Sequence, residues 1–205
     1  MTVHSDTAIV AGVGPGLGQA LCRHLAEAGY RVAGLARRTT ATPDLTAELG
    51  PDRFRTFSCD VTDAAQVDAA IRQVEAHWGP AGVYVHNAAP FHMSAFADTD
   101  PSTFESLWRT MCLGAVHGAQ RVLPGMLERQ RGFFLFIGAT ASVKAGATFS
   151  AFGSAKFALR GLARELGPQG IHVAHLVIDG VIWSERARDT LGLRRAQCLD
   201  PDVTV

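Results

Sequence analysis

The residues with the clearest chemical meaning stand in Ala8 to Ala20, AIVAGVGPGLGQA, where an apolar run meets Gly12, Gly14, Gly16 and Gly18. Glycine at these spacings suits an anion held by main chain. Gly12 has no Cβ and can turn sharply, Gly16 lets backbone approach a pyrophosphate, and Gly18 lets a following helix lie close to a sheet. Pro15 and Leu17 complete the loop, and the helix that opens there offers N–H donors and a positive dipole end to phosphate. A glycine-rich turn also occurs with no ligand, so the surroundings decide. Arg37 and Arg38 supply them, at the exit of the next apolar run, Arg31 to Ala36. In a dinucleotide fold the adenosine ribose lies at that exit, where a carboxylate binds the 2′-hydroxyl and guanidinium groups suit a 2′-phosphate. The strand-end residue is Ala36 with no acid beside it, which favours NADP over NAD, although the arginines also read as plain solvated charges.

Three further clusters carry weaker signals. Asp60 and Val61, in CDVTD after the third apolar run, read as a turn or as the neighbours of an adenine amino group. Asn87, Ala88 and Ala89, in HNAAP, are small enough for a ligand to approach at the carboxyl end of a strand, which is where open α/β sheets bind ligands. His86 and His92 flank them without a third ligand at metal spacing, so no metal is assigned. Cys22, Cys59, Cys112 and Cys198 lack the paired spacing of zinc or redox sites and read as free thiols. Thr140, Ser142, Ser150 and Ser154 read as capping or loop hydroxyls.

Six apolar runs must position these groups: Ala8–Val10, Arg31–Ala36, Phe54–Ser58, Val83–Val85, Phe133–Ile137 and Ile171–Ile178. Helical periodicity lies between them. It runs through Leu17, Ala20, Leu21, Leu25 and Ala28, and through a short stretch from Leu45 to Leu49. Next come Val67, Ala70, Ile71, Val74 and Trp78 behind a Thr62 or Asp63 cap, and then Phe104, Leu107, Trp108, Met111 and Ala115 behind Asp100 and Pro101, on a long helix to about Val122. The last helix runs from Ala151 to Leu166. Strand alternating with helix predicts a doubly wound parallel sheet of the Rossmann type, three layers deep, in one domain over 1–205. Nineteen basic and nineteen acidic residues balance, so no broad field favours nucleic acid or an anionic membrane. No targeting segment or membrane-length apolar run is read, and a cytoplasmic protein is expected.

Taken together the motifs resemble those of the short-chain dehydrogenase/reductase family over nearly the whole chain. AGVGPGLG resembles its T-G-x-x-x-G-x-G with Ala11 for threonine. CDVTD resembles its adenine-contacting D-V, HNAA its N-N-A-G, and FGSAKFALRGLA its Y-x-x-x-K. DGVIWS resembles P-G-x-V-x-T, with Asp179 for proline and Ser184 for threonine, so Gly180 and Ile182 would touch the nicotinamide. The resemblance implies strand order 3-2-1-4-5-6, a small-molecule substrate and a cofactor, NADP or NAD. It also gives Lys156 the role of holding the nicotinamide ribose and of lowering the pKa of a tyrosine that protonates substrate.

That tyrosine position is Phe152, the serine position thirteen before it is Ala139, and the asparagine position is Met111. The enoyl-reductase spacing, seven before the lysine, meets Phe149, and the two tyrosines of the chain, Tyr30 and Tyr84, belong to strand regions. Ordinary carbonyl reduction is therefore doubtful, since losing a general acid removes about 10²–10⁴ in rate. The alternatives are a non-catalytic cofactor-binding partner or sensor, and a cyclase, isomerase or dehydratase in the same pocket with its own acid or base, such as His92. The helix after Lys156 reaches RELGPQG about four residues early, which removes about 6 Å of helix. No seventh strand is expected. Residues 180–205 read as a lid or irregular tail, and strand six reads as an open edge that favours self-association, as do the two long helices.

Overall fold

The computed structural model describes residues 7–38, 43–162 and 169–204. Six parallel strands form one sheet in the order β3-β2-β1-β4-β5-β6. They are β1 (Thr7–Ala11), β2 (Arg31–Ala36), β3 (Phe54–Ser58), β4 (Val83–His86), β5 (Gly132–Ile137) and β6 (Ile171–Leu176). Every residue of β1 and β4 is buried, as expected of central parallel strands covered on both faces. The order reverses between β1 and β4, whose registers pair Val10 with Val85 and Ala11 with His86. Their carboxyl ends, and the loops that leave them, therefore share one crevice.

The helices are α1 (Leu17–Glu27), α2 (Pro43–Leu49), α3 (Ala64–Trp78), α4 (Pro101–Trp108), α5 (Gly114–Glu128), α6 (Ser150–Gly161), α7 (Glu185–Leu191) and α8 (Pro201–Thr204). One buried cluster joins α3 and α5 to one face of the sheet through Val67, Ile71, Val74, Val122 and Met126. A second joins α1 to the other face through Leu17, Leu21, Cys22 and Ala26. Asp63 caps α3, its side chain accepting from the N–H groups of Ala65 and Gln66. Arg121 ties α5 to α3 through Asp68 and Glu75, both at 2.7 Å.

Several boundaries differ from the sequence reading. Ala28 lies beyond the buried face of α1 as its C-cap, and Ala26 takes its place in the core. Asp100 precedes α4 with Pro101 in the first turn, but its side chain makes no capping bond. The expected helix through Met111 is broken by a π-turn, Arg109–Leu113, and the chain then continues helically to Glu128 rather than stopping near Val122. At the end of α4 Trp108 is 42% exposed, while Leu107 beside it and Met111 in the π-turn are buried. Helix α6 is described to Gly161, and the expected continuation to Leu166 lies outside the described residues. Strand β6 ends at Leu176, two residues early, and among the described residues it pairs only with β5.

The segment after β6 folds back over α1. Ile182 bridges Leu199 in parallel, Ser184 caps α7 by accepting from Ala187 N–H, and Asp202 in the first turn of α8 meets Arg23 of α1 at 3.4 Å. Among the described residues no helix is long and apolar enough to cross a membrane.

Candidate active site

At the carboxyl end of β1 the chain turns at Gly12, whose φ is +93°. A Cβ there would stand 2.5 Å from the Ala88 main chain, so the loop after β1 and the loop after β4 touch only because Gly12 is bare. Asn87 fastens the same contact, its Nδ2 donating to the Gly12 carbonyl at 2.8 Å. At Gly18 a Cβ would meet the Gly12 carbonyl at 2.8 Å, so α1 begins hard against the turn. Gly16 N-caps α1 with φ +91° and no side-chain cap, and Gly14 has open space beside it. Pro15 is exposed and Leu17 is buried in the core beneath the loop.

The remaining nucleotide-side residues form a rim. Arg37 and Arg38 are both exposed at the exit of β2. Asp60 accepts from the Thr62 N–H at 2.9 Å and from its hydroxyl at 2.8 Å through one carboxylate oxygen, closing a turn that leaves Val61 buried. Ala88 and Ala89 continue the rim beyond β4, Ala89 exposed. The turn shaped by Gly12 and Gly18, with open space at Gly14 beside the N-terminus of α1, fits a dinucleotide phosphate. The Gly16 face is filled in this structure by the Trp183 carbonyl oxygen, 3.0 Å from where a Cβ would lie.

Across the crevice lies a different surface. Lys156 on α6 is 3% exposed, and its Nζ donates to the Ile137 carbonyl at 2.6 Å. Burial pushes its ammonium down to about 8. Nζ stands 5.6 Å from the Phe152 ring centroid. Phe152 belongs to an apolar cluster with Leu107, Met111, Ala151 and Ala155, against which Ala139 and Phe149 rest. The fold therefore packs Met111, Ala139 and Phe152 into one apolar cluster, and the Phe152 ring brings that cluster up to the Lys156 amine. Phe91, from the loop after β4, closes the cluster with its ring 5.9 Å from both Phe149 and Phe152. The loop sequence gave no sign of it, since a phenylalanine outside an element has no periodicity to read.

The hydroxyls nearby are engaged otherwise. Ser142 is buried and accepts from Ala139 N–H at 3.1 Å, and Ser154 donates to the Ala151 carbonyl. Thr140 donates to Asp179 at 2.5 Å, joining the ends of β5 and β6. The Ser150 hydroxyl is buried with no partner, as are Nε2 of His92 and of His175. Gly180 is exposed at the end of the sheet and Ile182 is half-buried near Gly16.

His86 is 1% exposed and sits under the π-turn, its Nε2 3.1 Å from the Thr110 carbonyl. A carbonyl only accepts, so Nε2 carries the proton and Nδ1 accepts from the Tyr84 hydroxyl at 3.4 Å. Burial pushes its imidazolium down to about 3, so it stands neutral. Burial likewise raises the thiols of Cys22, Cys59 and Cys112. Among the described residues no group of His, Cys, Asp and Glu could hold a metal. An apolar cavity of about 330 Å³ between α1 and the sheet, lined by Leu21, Leu25, Val85 and Leu135, shares no residue with this crevice.

The sequence model of the family described as short chain dehydrogenase matches residues 6–187. A glycine betaine reductase of Emericella nidulans is 28% identical over 214 aligned residues, which take in 95% of this chain and only 16% of that much longer protein. An uncharacterized oxidoreductase of Staphylococcus aureus is 26% identical over 86% of this chain and 78% of its own. Among solved structures, a short-chain dehydrogenase from Streptomyces avermitilis superposes with a TM-score of 0.83 at 30% identity, covering 98% of this chain and 82% of that one. A metagenomic short-chain oxidoreductase in complex with NADP superposes at 0.81 with 22% identity, over 98% and 88% of the two chains.

Proposed function

The chain belongs to the short-chain dehydrogenase/reductase family, and from that premise we propose that it holds NADP(H) in the crevice but lacks ordinary carbonyl reduction. The observation that carries this is the apolar cluster of Met111, Ala139 and Phe152 around Lys156. In the family those three positions supply the asparagine, serine and tyrosine. The bound cofactor would supply a hydride.

This chain's residues would do the rest. The glycine loop from Gly12 to Gly18 would hold the pyrophosphate, Arg37 and Arg38 the 2′-phosphate, and Asp60 with Val61 the adenine. Asn87, Ala88, Ala89, Gly180 and Ile182 would border the nicotinamide side, and Lys156 would meet its ribose. A ketone oxygen beside the nicotinamide would face the Phe152 ring, which has no proton to give, and Ala139, which has no hydroxyl to bind it. Loss of such contacts costs several kcal/mol of transition-state stabilisation.

Groups that act as a unit are strongly non-additive, so Phe152→Tyr alone is expected to recover little. The triple change Met111→Asn, Ala139→Ser and Phe152→Tyr is expected to raise NADPH-dependent reduction of activated ketones by about 10² or more over the single change. The assay is NADPH absorbance with a ketone panel. Equal rates for the single and triple variants would count against this assignment of the positions.

A further inference from the structure

Resting on the cofactor reading above, we propose that the segment 181–184 is a strap that competes with the dinucleotide for the glycine loop. The Trp183 carbonyl oxygen lies 3.0 Å from where a Cβ on Gly16 would stand, and Ser184 and Ile182 border the same face. That bare Gly16 face is the one a pyrophosphate would approach. A carbonyl oxygen there faces the positive end of α1, as an anion would. It cannot donate to a phosphate oxygen, and two acceptors at one spot repel. In this closed position strap and phosphate therefore exclude each other, and Gly180 and Ile182 border the nicotinamide only once the strap lifts.

The strap is held from the far end of the chain. Trp183 N–H donates to the Leu199 carbonyl at 2.9 Å and Leu199 N–H to the Val181 carbonyl at 2.8 Å. The Leu199 side chain lies where a Cβ on Gly180 would stand, at 2.8 Å. Asp202 then anchors this tail on α1, through Arg23 at 3.4 Å and through its own carbonyl to the His24 ring at 2.9 Å. Loosening Leu199 or Asp202 therefore releases the strap without touching the crevice. A ligand that binds only the open state pays for the closed population in its apparent affinity.

The test titrates NADPH against the unmodified chain, Asp202→Ala and Leu199→Ala by calorimetry. A second readout uses a Trp78→Phe/Trp108→Phe background, in which Trp183 is the remaining tryptophan. Both releasing variants are expected to bind NADPH more tightly, by up to about fivefold, the full release of a closed state that holds some 80% of the population. Trp183 emission is expected to shift to the red as NADPH binds. Asp202 is exposed, so its variant keeps the test open if Leu199→Ala disturbs folding. NADPH binding with unchanged affinity in both variants and a still Trp183 would overturn the strap and leave the cofactor reading standing. No binding by any of the three proteins would overturn both.

Discussion

The two walls of the crevice are built from different materials. On the nucleotide wall the geometry is made by main chain and by the absence of side chains: bare Gly12 against Ala88, bare Gly18 against the Gly12 carbonyl, and a single amide, Asn87, fastening the two loops. On the α6 wall Met111, Ala139 and Phe152 pack in one apolar cluster beside Lys156, and three of these four side chains have no proton to give. Backbone shape is specified by many residues at once, whereas proton transfer depends on a few particular atoms. A backbone cradle therefore tolerates side-chain substitutions that a proton-transfer site does not.

Three comparisons probe that contrast, in decreasing order of expected effect. Gly12→Ala forces a Cβ to 2.5 Å from Ala88 at φ +93°, and strain together with overpacking is expected to cost about 4 kcal/mol. Gly14→Ala, with open space beside it, is expected to leave urea unfolding nearly unchanged. Equal midpoints for the two would break the claim that the cradle is set by steric exclusion. Lys156→Met tests the other wall. The folded lysine is pushed down to about 8 by burial, so between pH 8 and about 10.5 the unfolded chain binds a proton that the folded chain does not, and stability rises with pH. The penalty is fully present below pH 8. The unmodified protein is therefore expected to gain about 3 kcal/mol relative to Lys156→Met across that window, measured by chemical unfolding at each pH. The smallest effect belongs to the rim: changing Arg37 and Arg38 to Ala is expected to weaken NADPH about tenfold, near 1.4 kcal/mol, and NADH hardly at all.

How far each wall could be read from sequence follows from the same contrast. Strands β2 and β3 were legible to the residue, because apolar runs bounded by Gly29 and by Cys59–Asp60 leave the parallel sheet little choice. The Asp63 cap was legible as one of two candidates, since both Thr62 and Asp63 carry a capping oxygen. The π-turn at Arg109–Leu113 was not, because one extra residue in a helical turn preserves the apolar count and changes only its phase. Phe91 and the Thr140–Asp179 bond were hidden for another reason, as both join loops far apart in sequence. The fold over α1 of the tail from Leu199 to Asp202 rests on such contacts too, and ERARDTLGLRRAQ carries no periodicity that announces it.

The most direct measurement is a single turnover. The unmodified protein and Lys156→Ala are each loaded with NADPH and mixed rapidly with an activated ketone, while cofactor absorbance is followed. The account predicts that the unmodified protein binds NADPH and retains it unoxidised over many seconds, and that Lys156→Ala binds it more weakly. Rapid oxidation by the unmodified protein, at a rate that Lys156→Ala leaves unchanged, would contradict it, because the proton would then come from a group outside the wall formed by Met111, Ala139, Phe152 and Lys156.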